Sequence, residues 1–114
     1  MAVKELTGST FENFLGSKGI TFIDFWAEWC GPCKSFAKTF ERAASFHSDI
    51  CFAKVNIEVE AELAEIFEIR SVPHLIVLKE GVVIYSDSGT LSKSSLDELV
   101  EQAKEANLST VEPS

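Results

Sequence analysis

Two cysteines, Cys30 and Cys33, have the spacing in this sequence that is best suited to chemistry. They enclose a Gly-Pro dipeptide and follow a segment rich in β-branched and aromatic residues, which predicts a buried strand. The residues after them carry an apolar pattern typical of a helix. A C-x-x-C pair between a strand and a helix is a strong indication of thiol–disulfide exchange.

The predicted start of the helix explains why this pair would react. A helix N-terminus offers unpaired N–H groups and the positive end of the helix dipole, and both stabilise a thiolate. Cys30 falls at that end, and Cys33 follows on the same face one turn later. We expect Cys30 to attack a substrate disulfide and Cys33 to resolve the mixed disulfide. Pro32 suits a first turn because it has no N–H, and Gly31 leaves space for a substrate.

A carboxylate in the strand before the pair is the next candidate. Asp24 interrupts the apolar run Ile20–Trp26. Burying its charge is costly, and burial raises the pKa of a carboxyl group toward the working range of a general base. We therefore expect Asp24 to take part in proton transfer, the alternative being a surface position.

The elements that must position these residues follow the order βαβαβαββα. The predicted strands are Ala2–Leu6, Ile20–Trp26, Ile50–Ile57, His74–Lys79 and Val82–Ser86. The predicted helices are Ser9 to about Gly16, about Cys33 to Phe46, Val59–Ile69, and Ser92 or Ser94 to about Ala106. Crossover helices imply parallel strands and the closing hairpin antiparallel ones, so we predict an α/β fold with a mixed five-stranded sheet flanked by four helices. A single domain over 1–108 and a flexible tail over 109–114 are expected.

Composition narrows the possible partners and locations. The chain has 114 residues, a net charge of −8 and no basic run, so we expect neither nucleic acid nor anionic membrane as a partner. It has no secretory signal pattern and no apolar stretch near the ~18 residues of a membrane span, so a cytoplasmic location is expected. The third cysteine, Cys51, is interpreted as a small buried hydrophobe, with a regulatory thiol as the alternative. His47, near a helix end, is expected to complement the helix dipole.

One long segment of the chain resembles a known family. The sequence FIDFWAEWCGPCK, residues 22–34, is similar to the active-site segment of thioredoxins. Further landmarks of that family follow in order and spacing at 54–57, 69–73, 79–81 and Gly89, and the resemblance extends from about Leu6 to Leu108. It implies the thioredoxin fold and reduction of protein disulfides. We expect a monomer that binds no cofactor and whose redox-active group is the Cys30–Cys33 disulfide. The resemblance also implies recycling by a flavin-dependent thioredoxin reductase that uses NADPH.

The resemblance assigns roles to several positions. Asp24 would lie beneath the cysteine pair and accept the proton of Cys33, directly or through water, with Lys54 as its neighbour. Pro73 would be a cis-proline facing the pair. A groove for an extended client peptide would be formed around the pair by Trp29, Gly31, Pro32, Val72 and Gly89.

Some positions depart from the pattern of the family. Lys38 stands where a helix-kinking proline is usual, and His74 where threonine usually follows the cis-proline. Ser71 stands where glycine is frequent, and 35–37 replace a more aliphatic stretch. These changes concern partner choice and redox poise. We hypothesise that His74 modulates Cys30, the alternative being a strand residue that points away.

Three other functions compete with disulfide reduction. The cysteine pair could ligate zinc or an iron–sulfur cluster with help from Cys51, His47 or His74, but no second paired motif is present. The fold could serve as a binding module without catalysis, which the intact pair and Asp24 argue against. An oxidase or isomerase of the same fold is the third alternative, and Gly-Pro between the cysteines favours a reductase.

Overall fold

The structure is a computed structural model that describes residues 3–8, 10–11 and 19–106. Its strands are β1 (Val3–Glu5), β2 (Ile20–Trp26), β3 (Cys51–Asn56), β4 (His74–Lys79) and β5 (Val82–Ser88). The helices assigned within these residues are α1 (Gly31–Phe46), α2 (Ala61–Ile66) and α3 (Lys93–Glu105). The predicted first helix, Ser9 to Gly16, lies largely outside the described residues, as does the predicted tail over 109–114.

The five strands form one mixed sheet in the order β1-β3-β2-β4-β5. β3 lies parallel to both β1 and β2, whereas β4 pairs antiparallel with β2 and β5. A mixed sheet was predicted, but the antiparallel pairing of β4 with β2 was not, because a strand that follows a crossover helix was expected to be parallel. The order makes β2, which leads to the cysteine pair, the central strand. The register sets Asp24 beside Lys54 on one side and Leu75 on the other.

Side chains alternate along β2, so the sheet buries a different core on each face. Phe22 packs on the face of α1 and α3, with Phe40 and Leu96 among its neighbours in that core. Ile23 and Phe25 pack on the opposite face, where α2 contributes Leu63. Because Asp24 lies between Ile23 and Phe25, its side chain shares the α1 face with Phe22.

Helix α1 forms because its apolar residues recur at helical spacing. Phe36, Phe40, Ala43 and Ala44 are all buried against the sheet. The helix is continuous across Lys38, the position where the family usually has proline. No helix in the described part of the chain is both long and apolar enough to cross a membrane.

Several predicted boundaries need correction. α1 begins at Gly31 rather than near Cys33, since Cys30 caps the helix, and α2 ends at Ile66 rather than Ile69. The truncation of α2 changes its apolar face. Ile66, predicted to pack inward, is 64% exposed, because the short helix buries only Leu63.

Candidate active site

The cysteine pair lies at the N-terminus of α1 and is joined by a disulfide. Cys30 is the N-cap residue, with extended backbone angles, and its Sγ accepts a hydrogen bond from the backbone N–H of Cys33 at 3.1 Å. A serine or aspartate oxygen usually performs this capping role. The N–H of Cys33, which this sulfur caps, can therefore stabilise a negative charge on the sulfur of Cys30 after reduction.

The two sulfur-bearing residues are almost enclosed by apolar neighbours. Cys30 is 4% exposed and Cys33 2% exposed, and both pack with Ala27. The Sγ of Cys30 lies 3.7 Å from the carbonyl oxygen of Val72, which can accept a hydrogen bond from the reduced thiol. The pair is thus largely shielded from solvent.

Asp24 is buried, as expected, at 2% exposure. Loss of hydration raises the pKa of its carboxyl group from 3.8 to about 7, and the positive charge of Lys54 opposes part of this rise. Its Oδ1 has no hydrogen-bond partner among the described residues. Such a carboxyl group is half-protonated near neutral pH and can accept or release a proton there.

Lys54 lies opposite Asp24 in the register of β2 and β3. Its Nζ is 5.8 Å from the centroid of the Trp26 ring, a cation–π distance. Trp26 is half-buried beside the cysteines. The indole Nε1 is buried without a partner in the described structure.

The residues expected to meet a client line the opening above the pair. Trp29 is 69% exposed, and Gly31 and Pro32 are also exposed. An added Cβ at Gly31 would meet no atom within 4 Å, so the surface beside the disulfide is open there. Val72, half-buried, contacts the cysteine cluster from the other side.

The turn opposite the pair contains the expected cis peptide bond between Val72 and Pro73. It is joined to the end of β5, because the backbone N–H of Gly89 donates to the carbonyl oxygen of Pro73 at 2.8 Å. Gly89 has a φ of +107°, in a region that other residues rarely adopt. The structure thus brings Val72, Pro73 and Gly89 together near the disulfide.

His74 does not share the face of the redox pair. It is paired with Phe25 in the β2–β4 register, on the side of the sheet opposite Asp24. Its Nε2 is 2.8 Å from the Oγ of Ser86, and burial lowers the pKa of the ring, against an opposing effect of Asp87. This placement favours the alternative of a residue that points away from Cys30.

One contact near the site was missed at the level of sequence. Glu58, which lies between the predicted strand Ile50–Ile57 and the predicted helix Val59–Ile69, accepts a hydrogen bond from the backbone N–H of Glu28 at 3.3 Å. The adjacent Ile57 donates its N–H to the carbonyl oxygen of Trp26 at 3.0 Å. The turn after β3 therefore supports the segment that carries Trp29. A local sequence pattern cannot predict a contact between residues so far apart in the chain.

The remaining candidate ligands lie apart from the pair. Cys51 is half-buried rather than fully buried, and the loss of hydration raises the pKa of its thiol. His47 is the C-cap residue of α1, and its ring contacts Asp97. Among residues 3–8, 10–11 and 19–106, no cluster of three His, Cys, Asp or Glu side chains could hold a metal ion.

Comparison with known proteins agrees with this geometry. The thioredoxin family model matches residues 2–102. A protein of Streptomyces coelicolor whose name places it among the thioredoxins is 38% identical over 107 residues, which cover 94% of this chain and 80% of that protein. A thioredoxin of Mycoplasma pneumoniae is 38% identical over 79% of this chain and 88% of its own length. A thioredoxin of Rhodospirillum rubrum is 36% identical over 87% of this chain and 97% of its own length.

The protein has a mixed sheet built from βαβ units, and its disulfide lies at a helix N-terminus beside a cis-proline. These features define a thiol–disulfide oxidoreductase. The chain belongs to the thioredoxin family. It is a dithiol–disulfide reductase whose redox-active centre is the Cys30–Cys33 disulfide.

Proposed function

We propose that Cys30 is the attacking thiol and Cys33 the resolving thiol in the reduction of protein disulfides. The observation that carries this assignment is the capping bond, in which the Sγ of Cys30 accepts the N–H of Cys33. As a thiolate, Cys30 attacks one sulfur of the client disulfide, and the other client sulfur leaves and takes up a proton. Cys33 then attacks the Sγ of Cys30 and releases the second client thiol. The client gains two electrons and two protons, and the pair becomes a disulfide.

Asp24 is proposed to accept the proton of Cys33 during the second step. Its carboxyl group lies on the α1 face of the sheet, and its pKa of about 7 lets it be ionised in part of the population at neutral pH. Lys54 is a positioning residue in this proposal, because its charge keeps that pKa from rising further. Proton transfer to a carboxylate avoids releasing charge into an apolar pocket.

The client is proposed to bind as an extended peptide across the opening above the disulfide. Trp29, Gly31 and Pro32 would form one side, and Val72, Pro73 and Gly89 the other. Proline has no N–H, so the turn leaves neighbouring backbone groups to pair with the client as in strand addition. A thioredoxin reductase using NADPH is the proposed electron source, and a cytoplasmic monomer is the proposed state.

The assignment of the two thiols is tested on the reduced protein by alkylation and trapping. Iodoacetamide at neutral pH is expected to label Cys30 before Cys33 or Cys51, because the capped sulfur has the larger thiolate fraction. Cys33→Ser should accumulate mixed disulfides with client proteins, and Cys30→Ser should not. Cys51→Ser is the matched control and should behave as wild type. Equal labelling of all three cysteines would contradict the assignment.

The activity itself is tested by reduction of insulin, with and without thioredoxin reductase and NADPH. Turnover that depends on both additions supports the proposed electron source. Reduction by dithiothreitol-treated protein that is not sustained by the reductase would point to a different reducing partner. An absence of insulin reduction in either form would argue for a function as a binding module.

A further inference from the structure

Two large apolar side chains in the segment that follows β3 are open to solvent. Val59, in the turn before α2, is 72% exposed, and Ile66, the last residue of α2, is 64% exposed. Both line a cleft of about 520 Å³ that also includes Glu62. Exposed apolar surface with a polar rim is typical of sites that bind other proteins.

The start of this segment is joined to the redox site, because Ile57 packs against the cysteine cluster. Glu58, next to Val59, accepts the N–H of Glu28, the residue before Trp29. The turn itself is fixed by Asn56, whose Oδ1 accepts the N–H of Glu58 at 2.9 Å. A client held above the disulfide would therefore have its flanking residues close to the start of α2.

The charge of this region has one sign. Residues 57–69 contain five glutamates and neither lysine nor arginine. Glu60 accepts a hydrogen bond from the N–H of Gly8 at 2.9 Å. Glu62 and Glu65 are exposed, and they take part in none of the ion pairs found among the described residues. Their charges are therefore available to a partner.

The other side of the redox pair carries the opposite charge. Lys34 and Lys38 are exposed on the first turns of α1, directly after Cys33. A client with a basic flank would be attracted toward α2 and repelled from α1. The asymmetry would thus set both the choice of client and the direction in which it lies.

We infer that Val59, Glu62, Glu65 and Ile66, here called the α2 surface, dock the flank of a client disulfide that carries lysine or arginine beside an aliphatic side chain. The aliphatic side chain would enter the cleft between Val59 and Ile66, and the basic groups would meet the two glutamates. This inference rests on the proposed function, because it names the clients of the same thiol pair.

The experiment compares two peptides that contain the same disulfide, one flanked by Lys-Leu-Lys and one by Glu-Leu-Glu. At low ionic strength, the reduced wild-type protein should reduce the basic peptide with a kcat/KM at least about threefold higher. Glu62→Gln/Glu65→Gln should lower kcat/KM for the basic peptide about two- to fivefold, the range expected for two exposed charges. Added salt should remove most of the difference.

Controls separate local from general charge effects. Glu98→Gln/Glu105→Gln makes the same change of net charge with two exposed carboxylates of α3, and it should leave the preference intact. Ile66→Gln should lower kcat/KM for both peptides when they carry leucine. It should leave kcat/KM unchanged for both when glycine replaces the leucine. Reduction of the uncharged bis(2-hydroxyethyl) disulfide should be equal for all variants.

Binding gives a readout that does not depend on turnover. Peptides with serine in place of cysteine, followed by fluorescence anisotropy, should bind more weakly to Glu62→Gln/Glu65→Gln only when they carry the basic flank. The docking role of the α2 surface would be wrong if wild type reduced and bound the two peptides equally. It would also be wrong if Glu98→Gln/Glu105→Gln lowered kcat/KM for the basic peptide as much as Glu62→Gln/Glu65→Gln does. Either result would leave the proposed function intact. Failure to reduce even the uncharged disulfide would instead overturn the proposed function.

Discussion

Two aspartates that face opposite ends of helix α1 have carboxyl groups with opposite behaviour. Asp24, on the strand leading to the N-terminus of α1, is buried, and its pKa is raised to about 7. Asp97 lies on α3 and reaches His47 at the C-cap of α1, where its two oxygens contact His47 at 2.7 Å and Lys93 at 2.8 Å. These hydrogen bonds, to Lys93 and then to His47, hold the pKa of Asp97 below its ordinary value of 3.8.

The difference teaches that the two ends of α1 serve different purposes. At the C-terminal end, the carboxylate is solvated and fully bonded, so its charge is compatible with the folded state. At the N-terminal end, the carboxylate of Asp24 lacks a partner for Oδ1 among the described residues, so ionisation opposes folding. A carboxyl group whose pKa is raised to about 7 by folding is suited to exchange protons during the redox cycle.

The largest expected effect is on stability, from Asp24→Asn. The unfolded carboxyl group ionises at 3.8 and the folded one at about 7, so the folded state keeps a proton that the unfolded state has lost between these values. The free energy of unfolding of wild type therefore falls as the pH rises from about 4 to about 7 and then stays low. The pKa shift lowers the free energy of unfolding of wild type by roughly 4 kcal/mol at pH 8. Asp24→Asn, which buries an uncharged amide instead, should raise the free energy of unfolding by about 2–4 kcal/mol at that pH.

Chemical denaturation of the oxidised protein at a series of pH values measures this effect. The curves of wild type and Asp24→Asn should converge below pH 4, where the carboxyl group of Asp24 is protonated in both the folded and the unfolded state of wild type. Asp97→Asn is the matched control, and it should retain the decline between about pH 4 and pH 7. A decline of equal size in Asp24→Asn would show that another group is responsible.

The next effect concerns the rate of resolution. Asp24→Asn should slow the attack of Cys33 on the mixed disulfide by about 10- to 100-fold near pH 7, because the proton acceptor is lost. The first attack by Cys30 should change much less. Single-turnover rapid-quench measurements from pH 6 to 9 distinguish the two steps, and kinetics equal to wild type throughout would refute the general-base role.

Much of the fold was predictable from local pattern. The mixed sheet and the position of the cysteine pair follow from alternation, helical periodicity and the C-x-x-C motif. The order of the strands in the sheet and the antiparallel pairing of β4 with β2 were not predicted. The outcome at α2 differs because helix length depends on tertiary contacts. The helix ends at Ile66 with Phe67 as its C-cap, and Glu68 then takes a positive φ of 54°. Phe67 and Ile69 still pack against the core, whereas Ile66 is exposed.

The candidate site was predictable in its residues but not in its contacts. Asp24 stood out because a carboxylate is unusual within an apolar strand, and its register with Lys54 follows once β2 and β3 pair in parallel. The bond between Glu28 and Glu58, and the face to which His74 points, depend on how distant segments meet. Such contacts leave no periodic signal in one sequence.

A smaller effect is expected from Lys54→Met, which sharpens the comparison by removing the positive charge beside Asp24. Loss of the ammonium removes the attraction that lowers the pKa of Asp24, so that pKa should rise above about 7. At pH 7 less of the carboxyl group is ionised, and the resolving step should slow about two- to fivefold. The pH midpoint of that step, and the ¹³C titration of Asp24, should both move upward. Lys38→Met, at an exposed position on α1, should leave both midpoints unchanged.

The smallest effect is expected from Asp97→Asn. The carboxylate is bonded to His47 and Lys93, but the side chains of Asp97 and Lys93 are 36% and 32% exposed, so water screens the pair. The substitution should lower the free energy of unfolding at neutral pH by at most about 1 kcal/mol. Because the folded pKa is depressed, this stabilisation exists above 3.8 and is lost as the pH falls through the lower folded value. Denaturation curves of the variant and wild type should therefore converge in acid, and added salt should narrow their difference at neutral pH. A loss as large as the gain from Asp24→Asn would contradict this screening, because the charge of Asp97 would then stabilise the fold as much as the charge of Asp24 destabilises it.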